Sequence, residues 1–349
     1  MTQKFKKIFF GFALLAGTMV AGSAAYWHSL DLGSQPLANP DTRPSDLAFL
    51  KEAPQVQRGK ILAVVTSTGS APGTDVNMGY ELTELARAYY VFQANGFEVD
   101  IASPLGGRAP VNIDEELTEA DYAFLNDEGV RGAMADTKKL SSIVPEDYAA
   151  VYFVGGKGVM FDFPNDPDVK RITANIYERG GVVGAVCHGP VALVDVKLSD
   201  GSPILAGKTV TGFTNEEELF LIDNAREVFP FLLEDGLMKK AGKFVEGPMY
   251  LDKTITDGRI VTGQNPWSTW SVAESMIEAM GYELAQRERT MEERAADVLA
   301  TYYGQGFDAA ERANKELGGS DKRFILLHAL IAAMQGEFAH AYHIQRLAH

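Results

Sequence analysis

The sequence predicts an α/β fold with a mostly parallel central sheet, followed by an all-helical C-terminal extension. Two observations support this class. Between about residues 60 and 280, short and continuously apolar segments alternate with longer segments of helical periodicity. Continuously apolar strands are typical of a parallel sheet that helices cover on both faces. After about Ala285 only helical patterns remain, separated by glycines.

The strands and helices of the predicted α/β region alternate along the chain. Gly96 is placed to cap the first long helix, and the C-terminal ends of the strands should gather the functional groups. The predicted strands are 60–65, 98–102, 149–154, 182–186, 209–212 and 259–262, and the predicted helices are 81–95, 168–179 and two that start near 216 and 266.

The chain divides into four predicted regions. Residues 1–29 are a signal peptide or membrane anchor, and 30–58 are a proline-rich linker or strap over the domain surface. Residues 59–284 form the α/β domain, and 285–349 form the helical extension. In the extension, the pattern predicts helices over 291–303, 307–317 and 322–347, which cap the domain, form an oligomer contact or bind a partner.

The N-terminal region predicts export. Lys4, Lys6 and Lys7 precede an uncharged apolar run over residues 8–27, and Ser23-Ala24-Ala25 offers small residues for cleavage. A run of this length is also able to span a bilayer as an uncleaved anchor. We therefore expect a periplasmic or extracytoplasmic protein, either soluble after cleavage or tethered by residues 8–27.

Composition excludes some classes of function. The net charge of −15 argues against a nucleic-acid partner, which requires Lys and Arg to neutralise phosphates, and it also disfavours electrostatic docking on anionic lipid. Apolar content of 46% and charged content of 23% are those of an ordinary globular protein. One cysteine cannot form an intrachain disulfide.

That single cysteine, Cys187, is the main candidate for catalysis. It follows the buried strand 182–186 and precedes a small-residue helix start at 189–193, so the thiol should project from a sharp strand-to-helix turn. Helical amides at such a turn stabilise a thiolate and a developing oxyanion. We therefore expect the sulfur of Cys187 to be held as an anion and to act as a nucleophile.

The residues that could assist the thiol are identified by ruling out other histidines and by their position in the sequence. No histidine lies between His188 and the tail, so the α/β domain cannot build a triad with a later His. Side chains at consecutive positions usually diverge, which favours the His188 amide as an oxyanion donor over its ring as a base. Gly155 and Gly156, after a strand, offer a second donor and close approach to substrate.

Two sets of carboxylates are candidates for proton transfer. Glu84, with Glu81 one turn earlier, lies on the first long helix between two leucines, where either a partly buried or a surface carboxyl is consistent with the pattern. Glu216, Glu217 and Glu218 open a later helix, where acidic side chains also favour the helix dipole.

Several segments, in the expected order over about residues 59–281, resemble the ThiJ/PfpI superfamily, which has the class I glutamine amidotransferase-like fold. They are residues 79–92, 96–107 and 186–190. Residues 210–214, 231–235 and 262–266 resemble its heat-shock chaperone and glyoxalase III branch. The leader and the helical tail lie outside this resemblance.

The resemblance implies a flavodoxin-like three-layer sandwich and a Cys–His–Glu/Asp site. By position, Cys187 is the nucleophile, His188 its neighbour, and Glu84 the carboxyl that bonds the thiolate and shuttles protons. Glu218 matches the acidic third residue of the Cys–His–Glu/Asp site. Glu217 is the alternative if the alignment to the family shifts by one residue. The implied activity is the glutathione-independent conversion of methylglyoxal to lactate, with no metal or organic cofactor.

Lys157 is a departure from the branch, which commonly has Gly-Gly-His-Gly where this chain has Gly-Gly-Lys157-Gly. A lysine there would lower the thiol pKa, bind an acidic substrate group or point to solvent, which is the commonest arrangement of a lysine. We expect this departure to change the identity of the substrate more than the class of reaction.

Three functions remain open from the sequence. The first is a glyoxalase III-type enzyme acting on a small reactive carbonyl, as a monomer or homo-oligomer. The second is a stress chaperone or a redox or carbonyl sensor with little turnover, and the third is a cysteine amidase or peptidase.

Two further motifs are expected to be structural: Asn265-Pro266 as a helix start, and Glu337-x-x-His340, which lacks the second helix that a di-metal site needs.

Overall fold

The computed structural model describes residues 26, 28–54, 56–71 and 76–349. The chain forms two compact units. The larger unit is Ala38–Glu288, and the smaller unit combines the described part of Met1–Leu37 with Arg289–His349.

The larger unit contains eleven strands among the described residues. In chain order they are β1 Lys60–Val64, β2 Tyr80–Glu81, β3 Glu98–Ser103, β4 Val111–Asn112, β5 Lys138–Lys139, β6 Ala150–Phe153, β7 Val182–Val186, β8 Thr209–Val210, β9 Lys243–Phe244, β10 Thr254–Asp257 and β11 Ile260–Gly263.

Seven of these described strands form the main sheet, in the order β10-β11-β7-β6-β1-β3-β5. Every neighbouring pair is parallel except β10 and β11. β6 and β7 are buried at every residue, as expected for central strands covered on both faces. The predicted α/β fold with a mostly parallel, flavodoxin-like sheet is confirmed.

The helices of the larger unit cover this sheet. The helices Leu82–Ala94 and Thr269–Ala279 pack against each other, and Pro167–Glu178 packs on β6 and β7. The other described α-helices of this unit are Ala48–Lys51, Glu119–Asn126, Glu128–Ala135, Val159–Asp162, Asn215–Leu221, Ala225–Val228 and Leu233–Met238.

Two elements differ from the sequence-based expectation. The predicted strand 209–212 is shorter than expected and consists only of the two residues of β8, which pairs with β9 outside the main sheet. The strand ends there because the chain then turns toward β7, where the Phe213 amide donates to the Cys187 carbonyl. The predicted helix after Cys187 is a short 3₁₀ helix, Gly189–Leu193. The antiparallel edge strand β10 was not predicted, because its residues are mostly half-exposed Thr and Asp and form no apolar run.

The smaller unit confirms a helical extension, with one correction. Its α-helices among the described residues are Met291–Gln305, Phe307–Glu316, Lys322–Met334 and Phe338–Arg346. The last two were expected as one helix over 322–347. Gly336 divides them because its φ of 81° lies in the left-handed region, where a helix ends.

The segment between residues 30 and 58 contributes to both units. Residues from Ala38 onward pack on the larger unit, where the Asn126 side chain donates to the carbonyls of Pro40 and Thr42 at 2.8 and 2.9 Å. The predicted apolar segment 8–27 lies outside the described residues except for Tyr26. None of the helices formed by the described residues has the length and apolar content that crossing a bilayer requires.

Candidate active site

Cys187 follows β7 at a strained strand-to-helix turn. Its φ of 58° lies in the left-handed region, which a residue with a side chain adopts only where its surroundings hold it. Two hydrogen bonds do so: the Cys187 amide donates to the Gly263 carbonyl at 3.0 Å, and the Phe213 amide donates to the Cys187 carbonyl at 2.9 Å. The residue is only 4% exposed, so the thiol lies in a small enclosed space.

The imidazole of His188 links the thiol to a carboxylate. Its Nδ1 lies 3.2 Å from Cys187 Sγ, and its Nε2 lies 2.6 Å from Glu218 Oε2. The rings of Phe213 and Phe229 lie beside the imidazole, with centroids 4.6 and 6.1 Å away. The expectation that the His188 ring diverges from the thiol is wrong, because the positive φ of Cys187 turns the chain and brings the two side chains together.

Glu217 and Glu218 have different environments, although both are buried. Glu218 contacts His188, as described above. Glu217 opens its helix in a capping box with Thr214, and its carboxylate also accepts hydrogen bonds from the Tyr250 amide and from the side chains of Gln264 and Asn265. The geometry therefore places Glu218, and not Glu217, in the predicted third position, and Glu217 joins neighbouring loops.

Glu84 is fully buried on the helix Leu82–Ala94 and faces the thiol. The Gly155 amide donates to its Oε2 at 2.7 Å. Burial raises the pKa of Glu84 to about 8, against the opposing effect of hydrogen bonds from the Cys187 thiol and from Gly155. The carboxyl is therefore mostly protonated at neutral pH, and the prediction of a buried carboxyl beside the thiol agrees with its position.

The thiol itself differs from the expected resting anion. Burial raises the pKa of Cys187 well above its ordinary value, and the neighbouring Glu84 carboxyl raises it further. The expectation that the helix start would lower this pKa is wrong, because burial of the sulfur and the nearby acidic side chains of Glu84, Glu217 and Glu218 raise it. The resting thiol is neutral, and a base has to remove its proton.

The two glycines after β6 have separate roles. A Cβ added to Gly155 would lie 2.6 Å from Glu84 Oε2 and 2.9 Å from Cys187 Cβ, so only glycine fits between these side chains. Because its amide already bonds Glu84, Gly155 is not a free oxyanion donor, contrary to expectation. Within the described part of the chain, the amides of Gly156 and His188 donate no hydrogen bond, so these two amides are the candidates for that role.

Lys157 is directed inward, not toward solvent. Its side chain is 14% exposed and forms an ion pair with Asp114 at 2.6 Å. Burial alone would lower the pKa of Lys157, but Asp114 outweighs burial and raises it, with smaller contributions from Cys187 and Glu218. Asp114 was not found by sequence reasoning, since nothing in its loop separates it from other surface acids.

Glu81 also belongs to the wall of the site. Its carboxylate accepts hydrogen bonds from the Asp114 amide and the Asn112 side chain at 3.2 and 3.4 Å. Burial and then the neighbouring Glu84 and Asp114 raise the pKa of Glu81 to about 8. The carboxyl groups of Glu81 and Glu84 are thus both largely neutral at pH 7.

Asn265 keeps a structural role, though not the expected one. Its side chain does not cap the following helix; its Nδ2 donates to Glu217 Oε1 and to the Leu251 carbonyl at 2.8 and 2.9 Å. In the tail, the His340 ring lies 2.9 Å from the Tyr302 hydroxyl. Among the described residues, no group of three or more His, Cys, Asp or Glu side chains is placed to hold a metal ion.

Comparison with known proteins agrees with this architecture. Residues 76–279 match the DJ-1/PfpI family. The chain is 32% identical over 234 residues to glyoxalase 3 of Candida albicans, covering 63% of this chain and 98% of the relative. It is 33% identical over 236 residues to the glutathione-independent glyoxalase HSP31 of Saccharomyces cerevisiae, with the same two coverages.

A solved structure gives the same result. The crystal structure of glyoxalase III from Candida albicans superposes with a TM-score of 0.57 at 32% identity, covering 63% of this chain and 97% of that one. The family match spans more than half of the chain, and it includes every residue of the site described above. The chain belongs to the DJ-1/PfpI family.

Proposed function

We propose that this protein is a glutathione-independent glyoxalase that converts methylglyoxal, or a related small 2-oxoaldehyde, to the corresponding 2-hydroxy acid. The observation that carries the proposal is the relay from Cys187 Sγ to His188 Nδ1 and from His188 Nε2 to Glu218. The names of the relatives, glyoxalase 3 and glutathione-independent glyoxalase, support the same reaction class.

The first step is attack of the Cys187 sulfur on the aldehyde carbon. His188 keeps its Nε2 proton in the bond to Glu218, so Nδ1 is free to accept the thiol proton. Glu218 stabilises the imidazolium that forms, as the carboxylate does in other nucleophile–histidine–acid sites. The new C–S bond gives a hemithioacetal, and we assign stabilisation of its developing oxyanion to the Gly156 and His188 amides.

The second step moves one proton between adjacent carbons. The C1 proton leaves to form an enediol, and a proton returns to C2, which yields a thioester on Cys187. The His188 imidazolium first gives its proton to the hemithioacetal oxygen, and we assign the carbon-to-carbon transfer to Glu84, whose ionised form takes the C1 proton and whose acid form returns one to C2. Glu84 is suited to it because its pKa of about 8 lies near neutrality, where a group both takes and returns a proton.

The last step is hydrolysis of the thioester by water, which releases the hydroxy acid and restores the thiol. Over the whole cycle C1 is oxidised and C2 is reduced within one molecule, and one water is added. The reaction therefore balances without an external electron acceptor.

The enclosure of the thiol favours a small substrate. Cys187 is 4% exposed, which suits a three-carbon carbonyl better than a peptide chain. This observation weighs against the amidase or peptidase alternative. A chaperone role, which needs no activated thiol, does not account for the His188–Glu218 contact.

The test is lactate formation from methylglyoxal without glutathione, comparing the parent with Cys187→Ala and Glu84→Gln. We expect both variants to lose turnover, whereas the matched control Glu216→Gln, on the same helix as Glu218, keeps it. Full turnover in both site variants would refute the proposal. A parent without turnover that slows the aggregation of a client protein would favour the chaperone alternative.

We also propose an extracytoplasmic location, with residues 8–27 acting as a cleaved signal or as a membrane tether. The basic start and the apolar run support it. Cell fractionation with N-terminal sequencing tests it: recovery of the full chain in the cytoplasm would refute export. Light scattering would measure whether the protein forms a homo-oligomer in solution.

A further inference from the structure

An ammonium and a carboxylate meet at the wall of the candidate site. Lys157 Nζ lies 2.6 Å from Asp114 Oδ2, and we call these two side chains the wall pair. Lys157 comes two residues after Gly155, whose amide donates a hydrogen bond to the carboxyl group of Glu84. Burial raises the pKa of both Glu81 and Glu84, and the Lys157 ammonium opposes this rise at each of them. The wall pair therefore lies close enough to the carboxyl groups of the site to affect their charge.

The carboxylate of Asp114 is fixed in place by more than the ion pair. Its Oδ2 also accepts a hydrogen bond from Asn112 Nδ2 at 2.5 Å, and the Asp114 amide donates to the carboxyl group of Glu81 at 3.2 Å. Glu81 and Asn112 are themselves paired, since β2 and β4 run side by side as parallel strands. An acceptor that binds two donors and is anchored through its own backbone does not readily leave Lys157. The positive charge of Lys157 is thus already matched by a fixed negative charge.

Other acidic side chains act on the thiol and on the carboxyl group beside it. Burial raises the pKa of Cys187, and Glu84 raises it further. Glu217 and Glu218 raise this pKa as well. Burial likewise raises the pKa of Glu84, and Glu115 adds to that rise. Because the wall pair is neutral as a whole, an anion that enters the site meets a negative field, and like charges repel each other strongly in a poorly solvated space.

We propose that the wall pair makes the candidate site selective for uncharged carbonyl compounds, with Asp114 as the residue that determines this specificity. By holding the Lys157 ammonium, Asp114 keeps it from binding a carboxylate or phosphate on the substrate. The same negative field favours departure of the product, because a 2-hydroxy acid is ionised at neutral pH. This selectivity rests on the proposed function, since it concerns the substrate that reaches the same thiol.

The first experiment compares two reagents of nearly equal size, neutral iodoacetamide and anionic iodoacetate. In each case the Cys187 sulfur bonds to the methylene carbon, iodide leaves and the thiol proton passes to solvent. Mass spectrometry of the peptide that contains Cys187, the only cysteine in the chain, measures the rate. Each rate is divided by the rate for the same chain unfolded in urea, which removes the intrinsic reactivity of the reagent. We expect the folded protein to favour iodoacetamide about tenfold.

Three variants separate the charge of the wall pair from its structure. Asp114→Asn frees the Lys157 ammonium and should raise the relative rate of iodoacetate about tenfold. The double variant Lys157→Met/Asp114→Asn removes one charge of each sign, so the preference of the parent should return. The matched control Asp147→Asn removes an exposed carboxylate just before β6, at the opposite end of that strand from the site, and should leave the preference unchanged. Circular dichroism checks that each variant is folded.

The second experiment measures kcat/KM for 2-oxopentanal and 4,5-dioxopentanoate, which are 2-oxoaldehydes of equal chain length that differ by a terminal carboxylate. The parent should prefer 2-oxopentanal, and Asp114→Asn should move this preference about tenfold toward the anion. Equal relative rates of the two reagents, a thiol that iodoacetamide does not reach, or an Asp114→Asn protein with the preference of the parent would each overturn the selectivity. A reagent preference that follows the wall pair in a protein without turnover would sustain the selectivity and refute only the proposed function.

Discussion

Two weak acids face each other in the site, the thiol of Cys187 and the carboxyl of Glu84. Burial raises both pKa values, so at neutral pH the resting pair is largely uncharged. An uncharged pair avoids the cost of two buried anions side by side. On our proposal, the negative charge needed for attack is created when His188 accepts the thiol proton beside Glu218.

The raised pKa of Glu84 predicts a pH dependence of stability. The folded pKa is about 8 and the unfolded value 4.5, so the stabilising protonated form is complete below about pH 4.5 and is lost as pH rises toward 8. Glu84→Gln removes this loss. Relative to the parent, the free energy of unfolding of Glu84→Gln should rise with pH, by up to about 3 kcal/mol at pH 7.

Urea unfolding of both proteins between about pH 5 and pH 8 measures this difference. Glu81 titrates in a similar range and its pKa is raised by burial and in part by Glu84, so Glu81→Gln and the double variant Glu81→Gln/Glu84→Gln are measured beside Glu84→Gln to separate the two groups. Stability curves that stay parallel across this range would show that Glu84 titrates normally in the folded protein.

Glu217 and Glu218 provide a matched pair of substitutions. Glu218→Gln should lower kcat/KM about 100-fold with little change in the free energy of unfolding, because the charge that stabilises the His188 imidazolium is removed. Glu217→Gln should lower the free energy of unfolding by about 2–4 kcal/mol, because an amide nitrogen would then face several hydrogen-bond donors. Kinetics and urea unfolding of the two variants separate these effects, and an exchange of the two outcomes would contradict the assigned roles.

The element that shapes the site is the turn from β6 into Gly155 and Gly156. Gly155 allows the helix that bears Glu84 and the strand that bears Cys187 to approach each other closely. A side chain at this position would separate them. The distance between the Glu84 carboxyl and the Cys187 thiol thus depends on Gly155, which has no reactive side chain of its own.

Gly155→Ala should therefore lower kcat/KM about 100-fold, since an added methyl displaces Glu84 and a small misplacement of a catalytic group is costly. Gly132→Ala is the control: an added methyl there meets nothing within 4 Å, and it should raise the free energy of unfolding by about 0.5–1 kcal/mol. Lactate assays and thermal unfolding of both variants check this, and full activity of Gly155→Ala would contradict the described packing.

The sequence predicts the central elements well because each has a local signal. The strands that became β1, β6 and β7 are continuous apolar runs, and Cys187 stands out where the last of them ends. The edge strand β10 has no such signal, because one of its sides is solvated. The break at Gly336 was missed because the helical pattern continues across it.

Details of the site depend on tertiary structure that no local pattern encodes. The His188 ring reaches the thiol only because Cys187 has a φ of 58°. Which of two adjacent glutamates faces His188 depends on where Tyr250, Gln264 and Asn265 lie. The resemblance to a known family supplied Glu84 and Glu218, whereas the ion pair of Lys157 with Asp114 required the structure.

At the scale of the whole molecule, the candidate active site and most of the net negative charge lie in the larger unit. Residues 289–349 contain seven Lys and Arg against eight Asp and Glu, so nearly all of the net charge of −15 lies elsewhere in the chain.

The most direct test of the central claim is rapid chemical quenching of the protein during turnover of methylglyoxal. Our account predicts that the peptide containing Cys187 gains the mass of one methylglyoxal molecule and that hydroxylamine releases this group as a lactate derivative, as a thioester requires. Turnover to lactate with no adduct on Cys187, or an adduct that forms equally on a Glu84→Gln protein with unchanged activity, would contradict it.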